Sequence, residues 1–81
     1  MDKYKVAIVD DDEVALENLS FEFGKDARFF LKGTARNGKQ GKKLIAKVQP
    51  DLLFLDVELP DMTGMELLQE IRACGMAISS V

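Results

Sequence analysis

The chain contains no histidine and no tryptophan, one cysteine and two prolines among its 81 residues. Each scarcity removes a class of function. Without histidine, the usual zinc sites and imidazole acid–base catalysis are excluded from these residues. A lone Cys74 cannot form an internal disulfide, which fits a reducing compartment; its expected state is buried and inert. No apolar run approaches the roughly 20 residues that cross a bilayer. The opening Met1-Asp2-Lys3-Tyr4-Lys5 mixes charges of both signs, so it reads as neither a signal peptide nor a membrane anchor. Excess positive charge is missing too: the formal net charge is −3, which argues against direct nucleic-acid contact. The expectation is a soluble cytoplasmic domain with a thin core, since a chain this short buries only about 60% of its unfolded surface.

What is present is periodic. Val6-Ala7-Ile8-Val9 and Leu52-Leu53-Phe54-Leu55 are continuous apolar runs that stop at Asp10 and Asp56. Continuous runs suit parallel strands covered on both faces. Phe29-Phe30-Leu31, leading to Gly33-Thr34, is a weaker strand between them. The strands are placed at about 4–9, 29–34 and 52–55, with a fourth beginning at 77–81.

Between them the period is helical. Ala15, Leu16, Leu19 and Phe23 share one face of a helix over about 13–23, with Asp12 as its N-cap and Gly24 as its stop. Leu44, Ile45 and Val48 stripe a second helix, about 39–48, ended by Pro50. Leu67, Leu68 and Ile71 stripe a third, about 64–74, ended by Gly75. The order β-α-β-α-β-α-(β) predicts a parallel α/β sheet, whose ligands bind at the carboxyl ends of the strands.

Those ends carry carboxylates. Asp10, Asp11 and Asp12 follow the first strand and Asp56 the third. Taken alone, Asp12 reads as a helix cap. Asp10, Asp11 and Asp56 together read as a site, because crowded anions resist ionising unless a cation offsets their field. Mg²⁺, a hard ion with oxygen ligands, is the natural partner.

Ile8-Val9-Asp10-Asp11-Asp12, with Asp51-Leu52-Leu53-Phe54-Leu55-Asp56-Val57-Glu58-Leu59-Pro60-Asp61-Met62-Thr63-Gly64, resembles the response regulator receiver domains of two-component signalling. The resemblance covers nearly the whole chain. It implies a flavodoxin-like α/β sandwich with strand order 2-1-3-4-5. It makes Asp56 the phosphoacceptor for a sensor histidine kinase, and Asp10 and Asp11 the acidic pair. Mg²⁺ would then be held by Asp11 and Asp56 side chains and the Glu58 backbone carbonyl, with Pro60 and Gly64 shaping the loop. It also implies that the first helix docks on the kinase, where Val14, Asn18 and Phe21 form an exposed stripe away from the core face.

The chain departs from the family after Val81, inside the expected fourth strand. The rest of that strand, the fourth helix, the fifth strand and the fifth helix are missing, with the Ser/Thr and Lys that reach the phosphoryl oxygens. The expectation is a C-terminally truncated receiver that accepts phosphate without the usual switching. Its third strand should have an unprotected edge, and it should be either poorly folded alone or a homodimer with Leu53, Leu55 and the Met76–Val81 tail at or near the contact. The wording Asp56-Val57-Glu58-Leu59-Pro60 is also similar to that of regulators with a LytTR-type DNA-binding output domain.

Other constellations carry less. Asp10-x-Asp12 lacks the mid-loop glycine of a calcium loop. Arg36, Lys39, Lys42, Lys43 and Lys47 read as a solvated helix face, since no stacking aromatics accompany them. Met62, Met65 and Met76 read as core or loop packing. A haloacid-dehalogenase-like phosphotransferase also attacks with an Asp after an apolar strand, but it needs a second Asp two residues on, where this chain has Glu58. A non-catalytic interaction module is the third alternative.

Overall fold

A computed structural model of the chain describes residues 3–75 and 79–80. Four strands and three helices alternate: β1 (Tyr4–Val9), α1 (Glu13–Gly24), β2 (Phe29–Ala35), α2 (Gly38–Val48), β3 (Leu52–Leu55), α3 (Gly64–Ala73) and β4 (Ser79–Ser80). They form one sheet in the order β2-β1-β3-β4, and every strand pair is parallel.

β1 is the central strand, which explains its unbroken apolar run. Val6, Ala7, Ile8 and Val9 are all fully buried, because successive side chains enter different cores. Ala7 and Val9 pack with Ile45 of α2 and with Leu67 and Ile71 of α3 on one face. Val6 and Ile8 pack with Leu16 of α1 on the other, bordered by Leu19, Phe23, Phe29 and Phe54. A buried Ile or Leu stabilises by about 1.5–3 kcal/mol, so the few fully buried side chains carry much of the fold. In β2 the register with β1 slips between Val6 and Ala7, and Gly33 comes under α2, where a Cβ would press on Leu44 Cδ1 at 2.7 Å.

Helix starts are capped by side chains that satisfy otherwise unpaired N–H groups. Asp12, Asn37 and Thr63 accept from the amides of Val14, Gln40 and Glu66. The ends differ from one another. Gly24 is not a left-handed stop: it is the last residue of α1, and Lys25 follows at φ −80°, so the helix loosens through bonds from Lys25 to Glu22 and from Asp26 to Phe23. α2 ends with Gln49 in the left-handed region at φ 51°, immediately before the buried Pro50, which disfavours helical backbone in the residue ahead of it. Gly75 follows α3 at φ 85°, a conformation that glycine takes without penalty.

One expectation is corrected here. The edge of β3 is not bare: Leu52 and Leu53 pair with Ser79 and Ser80 of β4, and Leu53 is fully buried. Two residues of parallel pairing are enough to cover the first half of so short a strand. Met76, Ala77, Ile78 and Val81 of the expected tail lie outside the described residues.

Candidate metal and phosphoryl site

The pairing of Val9 with Leu55 sets the residues that follow them side by side at the carboxyl edge of the sheet. Two backbone bonds extend the ladder by one step, from Asp56 N to Val9 O (2.9 Å) and from Asp10 N to Ala35 O (3.0 Å). Both acidic residues therefore stand on fixed backbone. The carboxylates of Asp10, Asp11 and Asp56 each offer an oxygen within 4.8 Å of the others, with Asp10 and Asp56 half-buried and Asp11 exposed. That span is about the distance between two oxygens on opposite sides of a hard divalent cation. The donor set, all anionic oxygen, suits such an ion.

Electrostatics point the same way. Burial pushes the Asp10 carboxyl above its ordinary value, and the neighbouring Asp56 and Asp11 charges push it further. A hydrogen bond from Asp12 N to Asp10 Oδ1 (2.9 Å) opposes the rise without cancelling it. A cation would relieve that repulsion. Asp12 stands apart from the cluster: its Oδ1 accepts from Val14 N at 3.0 Å, which is the work of a cap.

The loop after Asp56 is folded on itself. Gly64 N donates to Val57 O (2.7 Å), Leu59 N donates to Met62 O (3.0 Å), and Glu58 and Thr63 form an antiparallel bridge. Thr63 and Glu66 close a capping box at the start of α3. A shallow open depression bounded by Asp11, Asp56, Glu58 and Pro60 leads solvent to the carboxylates. Glu58 itself is exposed, and its side chain is not among the three clustered carboxylates. On α1, Val14 and Phe21 are 63% and 65% exposed and Asn18 is exposed between them, with the Lys25 ammonium 4.3 Å from the centre of the Phe21 ring.

Two lesser expectations are corrected. Cys74 is exposed, because it is the C-cap of α3 and lies past the last turn that the sheet covers. Met65 is also exposed, whereas Met62 packs on the core; Met76 lies outside the described residues. Sequence reasoning missed three residues that shape the site from behind. Gly38 and Gly41 at the start of α2 admit Met62, Val9 and Leu67 at distances that leave little or no room for a Cβ. Asp61 bonds across to the same turn. A Gly-x-x-Gly spacing on the helix was the available signal for the first two, and nothing in the sequence marked Asp61.

Comparison with known proteins agrees with the geometry. Residues 6–80 match the family described as Response regulator receiver domain. The chain is 41% identical over 71 residues to a protein-glutamate methylesterase/protein-glutamine glutaminase of Geobacillus kaustophilus, covering 88% of this chain and 20% of that protein. It is 41% identical over 75 residues to a probable C4-dicarboxylate response regulator of Bacillus subtilis, covering 86% of this chain and 31% of that one. It thus spans about a fifth to a third of the length of these curated relatives. Among solved structures, a DNA-binding response regulator of the LuxR family from Staphylococcus aureus superposes with a TM-score of 0.87 at 28% identity, over 95% of this chain and 64% of that one. The response regulator domain of Thermotoga maritima CheB superposes at 0.85 with 23% identity, over 95% of this chain and 56% of that one, and supports the fold alone.

Proposed function

The chain belongs to the response regulator receiver domain family, and from that premise we propose that Asp56 accepts a phosphoryl group from the phosphohistidine of a sensor histidine kinase in the cytoplasm. The observation that carries this reading is the convergence of the Asp10, Asp11 and Asp56 carboxylates within 4.8 Å at the ends of two adjacent parallel strands. Asp10, Asp11, Asp56 and the Glu58 backbone carbonyl would hold Mg²⁺. Bound there, it would offset the repulsion between an anionic nucleophile and an anionic phosphoryl group.

The chain's own part in the transfer is positioning. An Asp56 carboxylate oxygen forms the new O–P bond as the N–P bond of phosphohistidine breaks. The electron pair returns to the imidazole, which takes up a proton. The Asp56 amide, bonded to Val9 O, keeps the nucleophile at the sheet edge. The chain is a signalling phosphoacceptor, catalysing at most its own phosphorylation and dephosphorylation. A haloacid-dehalogenase-like scheme would need an Asp where this chain has Glu58, and it leaves the convergence of Asp10 and Asp11 on Asp56 unexplained, so the receiver reading is preferred.

Kinase docking falls to the Val14, Asn18 and Phe21 stripe of α1. The curated relatives include transcriptional regulators, and a DNA-binding output of LytTR type is the reading that the wording around Asp56 favours. Self-association through the region of Leu53 and Leu55 belongs to the same reading, since Leu55 at the end of β3 has no strand partner beyond β1 among the described residues. Sedimentation at several concentrations tests it, and a chain that stays monomeric throughout ends it.

Incubation with acetyl phosphate and Mg²⁺, followed by intact mass measurement, tests the main reading. One added phosphoryl group is expected on the chain and none on Asp56→Ala. Labelling that persists in the variant overturns it.

A further inference from the structure

The loop that carries Asp56 at one end is also held at its tip, by a contact that phosphoryl chemistry does not require. Asp61 Oδ1 accepts from Gly38 N at 2.7 Å and Asp61 Oδ2 accepts from Lys39 N at 3.0 Å. Both donors belong to the first turn of α2, where backbone N–H groups have no partner within the helix. The third bond of that turn, from Gln40 N to Asn37 Oδ1 (2.8 Å), is supplied locally. One carboxylate from another element thus takes the remaining donors, at the positive end of the helix dipole. The Gly38 amide chiefly holds the Asp61 carboxyl below the ordinary carboxylate range.

Packing reinforces the contact. Met62, the next residue, lies directly over Gly38, where any Cβ would strike its Cγ, Sδ and Cε, and it continues into the core beneath α2 and α3. The Leu59–Met62 and Val57–Gly64 backbone bonds then carry this restraint back along the loop to Glu58 and Asp56. Asp61 and Met62 thus tie the tip of the loop to the first turn of α2 by a hydrogen-bonded and a packed contact.

We infer that Asp61 is a positioning residue: by clamping the β3–α3 loop onto the first turn of α2, it sets the placement of the Glu58 carbonyl and the Asp56 carboxylate that receive the cation. The inference rests on the proposed Mg²⁺ site. A residue that merely caps α2 would affect stability and nothing else, so the decisive control is Asn37, which caps the same turn through Gln40 N and has no hydrogen bond to the loop among the described ones.

Mg²⁺ titration of the full chain by calorimetry, paired with amide hydrogen exchange, separates the two roles. Asp61→Ala is expected to bind Mg²⁺ about tenfold more weakly, the scale seen when a group that orients a metal ligand is lost. Exchange at the Leu59 and Gly64 amides should accelerate in the same variant. Asn37→Ala should lower the melting temperature while leaving Mg²⁺ affinity and those two amides unchanged. Asp61→Asn, which keeps one acceptor oxygen, should fall between wild type and Asp61→Ala. Unchanged Mg²⁺ affinity in Asp61→Ala, or an equal loss in Asn37→Ala, overturns the inference. If the wild type itself binds no Mg²⁺, the phosphoacceptor reading fails, and the exchange data still decide whether Asp61 orders the loop.

Discussion

Gly64 lies against the backbone carbonyl of Asp56 so closely that a Cβ would collide with that oxygen and also meet its carbon and the Leu55 side chain, both at 3.2 Å. The first residue of α3 and the proposed phosphoacceptor are therefore set by one another. Backbone cannot yield as a side-chain tip would, so Gly64→Ala should destabilise the chain by about 1–3 kcal/mol, the usual cost of overpacking. Gly24→Ala is the internal control, since nothing lies within 4 Å of a Cβ there and its φ is not positive. That change should be neutral or slightly stabilising, by up to about 1 kcal/mol. Urea denaturation of the two variants makes the comparison, and similar losses would contradict it.

Asp10→Asn should stabilise the chain at neutral pH without divalent ions. The Asp10 carboxyl is raised from its ordinary 3.8, by burial first and then by the Asp56 and Asp11 charges. A raised acid binds its proton more tightly in the folded state, so its contribution falls as pH rises from the unfolded value through the folded one. Asparagine removes the charge and retains an oxygen for Asp12 N–H. Thermal melts across that pH window should therefore show a weaker decline in the variant. Added Mg²⁺ should stabilise the wild type and not Asp10→Asn; an equal response in both would remove Asp10 from the site.

Asp11 and Asp12 are neighbours with different duties. Asp12→Ala should cost about 1 kcal/mol of stability, typical of a lost N-cap, with little change in Mg²⁺ binding. Asp11→Ala should do the reverse, because the exposed Asp11 side chain belongs to the carboxylate cluster and has no capping bond among the described ones. Calorimetric Mg²⁺ titration beside a thermal melt distinguishes them. Equal losses of affinity would mean that the acidic pair is assigned to the wrong residues.

Phe21→Asp should slow phosphoryl transfer from a histidine kinase while leaving acetyl phosphate labelling intact. Phe21 is 65% exposed, so charge there disturbs the surface of α1 and spares the core. A parallel fall in both reactions would reassign the residue to structural support.

Much of this protein is legible in its sequence. β1 and β3 could be read as parallel strands covered on both faces because Val6–Val9 and Leu52–Leu55 are apolar without alternation, although the covering of the β3 edge by β4 was not foreseen. Asp10, Asp11 and Asp56 could be placed at one edge because each follows such a strand, and Asp12 could be read as a cap from its position ahead of a helical stripe. These are local properties, written in hydrophobic period and in the residue that breaks it. The tertiary structure decided what depends on which distant groups meet. Gly24 does not make the expected stop, because the last turn of α1 loosens through Lys25 and Asp26 instead, and the left-handed residue is Gln49 ahead of Pro50. Cys74 is exposed because, among the described residues, no element covers the C-terminal turn of α3. Asp61 could not be singled out at all: a loop carboxylate becomes a clamp only when the first turn of α2, 22 and 23 residues away in the chain, presents two unpaired N–H groups to it.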